Sequence, residues 1–339
     1  MMLWLFLSAC VLSRVDSGSL TKVSPEVLAI SDVGMACAMG ETTVPLMTAM
    51  DDEKLRRSIA FSLISAAMCS EIRVWDAELD RRQAVYLAGM SSEPATWSAV
   101  ATDAAARETR AHIEAAQRNL WVWEALEAEY GTVGEECPKL AEEEQVLYLM
   151  GLASGSLAVL HDGAADHALD INQGVARQVE RGAACLDSGS LWGVPGAVRA
   201  SVWIAVPGAG PQGVDPWTQL EASAMLGDSQ GVWLSRALHA QAAASAGNSE
   251  ALTAAFTAHK RAMESGGSPD HGLLNDYSHR IIRHESDRIW MSETGHRTES
   301  GRFGAQPHAE LEVDFDLDAF FGPDEPETPV EPLQEENSP

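Results

Sequence analysis

Positive charge is what this chain has least of: 23 Lys and Arg stand against 50 Asp and Glu, a formal net charge of −27. A field of that sign repels phosphate backbones and anionic headgroups, which argues against a nucleic-acid partner. Aromatic residues make up only 6%, and β-branched runs are scarce, so a strand-built fold has little to work with. Disorder of the whole chain is excluded on other grounds, because 339 residues at 45% hydrophobic content supply a large core. The acidic excess is uneven: residues 303–339 hold 11 of the acidic residues and no Lys or Arg, which marks the tail as a separate object.

Met1–Leu12 is uncharged and almost wholly apolar. It falls short of the ~20 residues of a membrane-spanning helix but suits the apolar region of a signal peptide. Leu7-Ser8-Ala9-Cys10 resembles a bacterial lipobox, whose cysteine carries lipid once the leader is removed. The expectation is a short lipoprotein-type leader over 1–9, with Cys10 as lipid attachment site and 10–23 as tether; the alternative is an uncleaved apolar terminus. Cys37, Cys69, Cys137 and Cys185 remain, an even number that allows three connectivities in an oxidising compartment. A helix hairpin turning near Asp51-Asp52 would bring Cys37 and Cys69 level and leave Cys137 with Cys185. Four buried free thiols fit the sequence equally well.

Ala, Leu, Glu, Gln and Arg dominate residues 24–290, and the apolar positions recur at helical spacing. Leu55, Ile59, Leu63 and Ala66 form one stripe and Phe61, Ile64, Met68 and Ile72 another, so this helix is apolar on most sides and belongs at the centre. Helices are expected over 25–39, 53–73, 78–90, 95–130, 139–161, 165–186, 215–226, 231–246, 249–265 and 270–291. Ser24-Pro25, Gly247-Asn248-Ser249 and Ser268-Pro269-Asp270 are stop-and-cap signals between them, and such short loops mean antiparallel neighbours. The expected fold is all-α: antiparallel helix pairs over 24–291, stacked as a degenerate tetratricopeptide-like α-solenoid. Residues 292–339 read as a linker and a disordered acidic tail. Within them Leu311–Asp318 alternates apolar and acidic residues, and Pro323, Pro326, Pro329 and Pro332 are evenly spaced.

Several motifs imitate catalytic or ligand sites. Gly208-Ala-Gly-Pro-Gln-Gly213 has dinucleotide spacing after the strand-like Val202–Val206, but Pro211 intervenes and the next helix cap is Asp215-Pro216. Gly227-Asp-Ser-Gln-Gly231 has nucleophile-elbow spacing around Ser229, with His239 ten residues on, yet it falls between two helices. His161-Asp162 with Asp166-His167, and His279 with His284-Glu285 and Asp287, are candidate metal clusters without the His-Glu-x-x-His spacing. The reading is therefore non-enzymatic, with no catalytic, cofactor or metal residues assigned. Trp121 and Trp123 point about 200° apart on one helix, so one of them is a candidate surface contact.

In order along the chain, Asp51–Leu55 leading into Ala60–Leu63, Leu147-Tyr148-Leu149 with Gly151, Ala153 and Gly155, Val179–Ala183, Pro207–Gly210, Gly231-Val232-Trp233, and Leu273-Leu274-Asn275 running to Trp290 resemble the T-component (TatT) family of TRAP transporters. The match is a pattern of segments over roughly 45–290. It implies a periplasm-facing lipoprotein that forms a ring-like homo-oligomer, binds the solute-binding protein of a TRAP system and takes an apolar small ligand. It carries no cofactor. Residues 71–97 follow the family poorly, and the tail after Trp290 lies outside it. The competing expectations are an envelope scaffold without a transport role and a serine hydrolase using Ser229.

Overall fold

Segments rich in helix formers and free of internal breakers grow into long helices. The computed structural model describes residues 25–50 and 55–307. These belong to one compact unit ending at Pro307, and residues 308–339 are a second unit outside the description. Among the described residues there is no strand. The helices are α1 (Pro25–Leu28), α2 (Val33–Thr48), α3 (Arg56–Met90), α4 (Pro94–Tyr130), α5 (Glu142–Ala164), α6 (Val175–Ala183), α7 (Val194–Ala205), α8 (Pro216–Ser229), α9 (Leu234–Ser245), α10 (Ser249–Ser265) and α11 (Gly272–Thr294). The fold is all-α, built from antiparallel helix pairs.

Ion pairs give the orientation directly. Arg57 meets Glu129, Arg73 meets Glu114 and Arg81 meets Glu108, so position falls along α4 as it rises along α3. The α2–α3 pair is locked the same way, with Cys37 bonded to Cys69 across a Cα–Cα distance of 5.1 Å. Gly40 makes that pair tight: a Cβ there would lie 2.3 Å from the Ala66 nitrogen and 2.7 Å from the Ser62 carbonyl oxygen. On the other side of α4, Gly155 of α5 admits the ring of Trp123, whose Cε3 a Cβ would meet at 2.3 Å. α3 touches α2, α4, α5 and α11, which is the central place that its all-round apolar surface demands.

α11 returns to the beginning of the array. It packs on α3 and near α1 and α2, and the Val33 amide donates to Asp276 Oδ2 at 2.9 Å. In an open solenoid each pair meets only its neighbours, so this contact closes the stack on itself.

The expected helix over 25–39 is instead two, α1 ending at Leu28 and α2 starting anew at Val33, where Asp32 caps it by accepting from the Met35 amide, and running on to Thr48. Four further stretches differ from the expected boundaries. α3 is one helix of 35 residues rather than two. Its apolar pattern changes from all-round to one-sided near Trp75, but no Gly or Pro interrupts the backbone before Gly89. Over 165–186 only Val175–Ala183 is helical. Asp166, His167 and Asp170 are left-handed (φ 55°, 59° and 53°), and the buried Asp162 carboxylate accepts from the amides of Leu169 and Ile171 at 2.8 and 2.9 Å. Val202–Val206, strand-like in sequence, is the end of α7 and its cap, since a short apolar run fits a buried helix as well as a strand. The fourth is the first half of the expected linker. Thr298 is buried with its amide on Asp287 Oδ1 at 3.0 Å, Trp290 Nε1 donates to the Ala305 carbonyl at 3.2 Å, and Phe303 packs edge-on to Phe256. Residues 295–307 are therefore part of the body. The alternating segment Leu311–Asp318 and the spaced prolines lie outside the described residues, as do Cys10 and the expected leader.

Candidate functional site

The glycine-rich Gly208–Gly213 is a turn between two helices, α7 and α8. Asp215 caps α8 by accepting from the Thr218 amide at 2.8 Å, so the helix N-terminus opens after the glycines rather than at them. Ser229 is an exposed residue at the end of α8, and its hydroxyl donates to the Leu226 carbonyl at 2.8 Å. His239 is held elsewhere: its Nδ1 lies 2.9 Å from Glu221 and 3.1 Å from Arg236 Nη1. Arg236, 1% exposed, reaches Asp228 at 2.7 Å and Glu221 at 2.5 Å, so the Asp228 turn anchors a buried guanidinium.

The two histidine–carboxylate clusters are divided among different partners. His161 points to Glu71 while Asp162 clamps its own loop, with His167 Nδ1 3.7 Å from Asp162. His279 pairs with His259 at 3.1 Å, His284 with Glu78 at 3.0 Å, Glu285 with Arg288 at 2.6 Å, and Asp287 with the Thr298 amide. Among the described residues no group of three or more His, Cys, Asp and Glu converges as a metal-binding set.

The densest polar geometry follows one face of α3 and was not legible from spacing. Glu71, 3% exposed, accepts from Asn119 Nδ2 of α4 at 2.9 Å and faces His161 Nε2 of α5 at 2.8 and 3.0 Å. His161 Nδ1 in turn lies 2.9 Å from Nδ1 of His112. Burial and the neighbouring His161 push the His112 imidazole down to about 4. One turn along α3, Trp75 stacks between Tyr277 (5.8 Å) and His284 (5.6 Å) of α11. Two turns along, Glu78 holds His284 at 3.0 Å, Arg288 at 2.8 Å and Arg82 at 2.7 Å. Burial alone would raise the Glu78 carboxyl, but the His284 hydrogen bond and the Arg288 charge hold it well below the usual carboxylate range. These groups bond to one another across the contacts of α3 with α4, α5 and α11, while Asn119 Oδ1 and His284 Nδ1 stay buried without a hydrogen-bond partner.

Trp123 is 4% exposed inside the α4–α5 seam, whereas Trp121 is 47% exposed. Trp121 lines an open groove of about 470 Å³ together with Arg110, Ile113, Glu114, Gln117 and Arg118. Arg118 is fixed there by Glu41 of α2 and by Glu114, both at 2.6 Å. The groove therefore combines an exposed aromatic ring, the half-buried apolar Ile113 and an exposed guanidinium in Arg110. Aromatic residues and Arg are the residue types enriched at protein–protein contacts in general.

All four cysteines among the described residues are paired, Cys37 with Cys69 and Cys137 with Cys185, the second pair across a Cα–Cα distance of 5.4 Å. Of the three connectivities that the count allows, the structure holds the one with Cys37 and Cys69 on the α2–α3 hairpin. Comparison with known proteins adds no relative: no family model, no curated protein and no solved structure matches the chain.

Proposed function

We propose that this chain is an exported helical-repeat protein that acts by binding rather than by catalysis, as an accessory to a TRAP-type uptake system. The observation that carries the exported part is the pairing of every described cysteine, because disulfides persist in oxidising compartments and are rare in reducing ones. The binding part rests on the groove beside Trp121, an aromatic and guanidinium surface of the kind that anchors protein interfaces. The partner, a periplasmic solute-binding protein, comes from the segment-by-segment resemblance to TatT proteins. So do the lipid at Cys10, the ring-like homo-oligomer and the apolar small ligand. A structural rather than catalytic role for Ser229 is supported by its hydroxyl's bond to the backbone and by the ties of His239 to Arg236 and Glu221.

Native mass spectrometry of the full chain, extracted in mild detergent from its own cells, tests this reading. A diacylated oligomer carrying a solute-binding protein is the expected species. An unmodified monomer with free thiols overturns export and transport together. A lipidated oligomer retained on other envelope proteins instead favours the scaffold alternative.

A further inference from the structure

The two disulfides differ in what surrounds them. Cys37–Cys69 lies between α2 and α3, with Cys37 half-buried, Cys69 only 3% exposed in the central helix, and Gly40 pressing the two backbones together one turn away. Cys137–Cys185 lies at the surface. Cys137 is exposed on the loop between α4 and α5, beside exposed Glu135 and Glu136, and Cys185 is half-buried just beyond α6. That loop has other attachments. Val133, 2% exposed, belongs to the core cluster with Tyr148, Leu152 and Val179. Arg181 Nε donates to the Gly134 carbonyl at 2.9 Å, and the Val133 amide reaches Glu127 Oε1 at 3.3 Å.

From this contrast we infer that Cys137–Cys185 is a thiol-exchange site that a dithiol opens without unfolding the body, while Cys37–Cys69, with Cys69 buried in the central helix, exchanges far more slowly. Exchange requires a thiolate to reach a disulfide sulfur, so access decides which bond reacts. A thiolate of the dithiol attacks Cys137 Sγ, forming a mixed disulfide and releasing Cys185 as a thiolate that takes a proton from water. The second thiol of the dithiol, losing its proton, attacks its own sulfur in the mixed disulfide and frees Cys137 as a thiolate, which is then protonated. Two electrons pass from the dithiol, which leaves as a cyclic disulfide, to the cysteine pair. The product is a folded body with two thiols, the first on a loop whose base Val133 and Gly134 still hold in place.

The inference goes beyond the proposed function and needs only that the bonds exist. The purified full chain is first alkylated without reductant and weighed intact. It is then exposed to graded dithiothreitol, quenched with a mass-shifting alkylator and mapped by peptide mass spectrometry, with far-UV circular dichroism recorded in parallel. Cys137 and Cys185 are expected to be labelled at least ten times faster than Cys37 and Cys69, with helix content unchanged when the first pair is complete. Equal rates, or earlier labelling of Cys37 and Cys69, overturn the inference. The double substitution Cys137→Ser with Cys185→Ser should fold and keep the slow pair; loss of helix content in it would make the outer bond structural and sink the idea. Four free thiols in the untreated protein would remove the export reading as well, whereas paired cysteines that reduce together remove only this inference.

Discussion

His161 Nε2 lies 2.8 Å from Glu71 Oε1, although 90 residues separate them, and the pair joins the central helix to a helix beyond its nearest hairpin partner. Glu71 is the common acceptor for His161 and Asn119, both buried, so removing its carboxylate leaves two polar groups without their partner. Glu71→Ala should lower unfolding stability by about 3 kcal/mol, as expected for a broken buried pair. Glu71→Gln keeps one acceptor oxygen and should cost about 1–2 kcal/mol. Urea unfolding of the three proteins checks the order, and coincident midpoints would mean that the network adds nothing to stability.

What was legible in the sequence was local. Gly247 followed by Asn248 reads as a stop and a cap, and Asn248 Oδ1 does accept from the Ala251 amide at 3.1 Å at the start of α10. The apolar surround of Leu63, Ile64 and Met68 reads as centrality, and α3 packs against α2, α4, α5 and α11. Pairings between distant helices were not legible, because a histidine's partner depends on packing that no spacing encodes. His161 was grouped by sequence with Asp162, yet successive residues on a helix point about 100° apart and the two side chains go to different places. Residues 295–307 read as a linker from their Gly, Ser and Thr content. Phe303 and Thr298 fold back onto Phe256 and Ser286 in a stretch without periodicity to announce it.

Acid should loosen the protein before its carboxylates titrate. An unfolded imidazole titrates near 6.5, whereas burial lowers His112 to about 4 and His259, with His279 beside it, to about 3. His239, His271 and His279 shift the same way, each chiefly through burial. Over that window the unfolded chain holds more protons, so stability is complete above pH 6.5 and falls as pH drops, levelling as the folded imidazoles protonate. At pH 5 the fully buried His259 alone should cost about 2 kcal/mol, and half-exposed His112 less because solvent screens it. Glu78 is displaced in the opposite sense and keeps its contribution until far lower pH. Tm measured from pH 7.5 down to pH 4.5 should fall steadily, and His259→Gln should flatten the slope. A Tm independent of pH over that range would contradict the assignment.

Three glycines should respond differently to one added methyl group. At Gly40 the new carbon meets the backbone of α3, which moves only if the disulfide-linked pair separates, so Gly40→Ala should cost about 3 kcal/mol or more. At Gly155 it meets the Trp123 ring, a side chain that has some freedom to shift, and Gly155→Ala should cost about 1–3 kcal/mol. At Gly89, near the end of α3, nothing lies within 4 Å, and Gly89→Ala should stabilise by up to about 1 kcal/mol through helix propensity. Thermal melts rank the three, and a destabilised Gly89→Ala would show that this end of α3 is covered.

Trp121 and Trp123 make the cleanest separation of fold from function, because helix geometry sends neighbours at i and i+2 to different surroundings. Trp123→Ala empties a site walled by Gly155 and the α5 core and should cost about 3–5 kcal/mol. Trp121→Ala removes an exposed ring and should leave stability within about 0.5 kcal/mol. The effect on binding should be reversed in kind. A central aromatic anchor is typically worth about 2 kcal/mol or more, so Trp121→Ala should release a partner seated in the groove at least thirtyfold more readily. Urea unfolding gives the first comparison and native mass spectrometry of the extracted complex the second. If Trp121→Ala keeps its partner at unchanged occupancy, the groove on α4 is not the docking surface, and the partner-binding face must be sought on another helix.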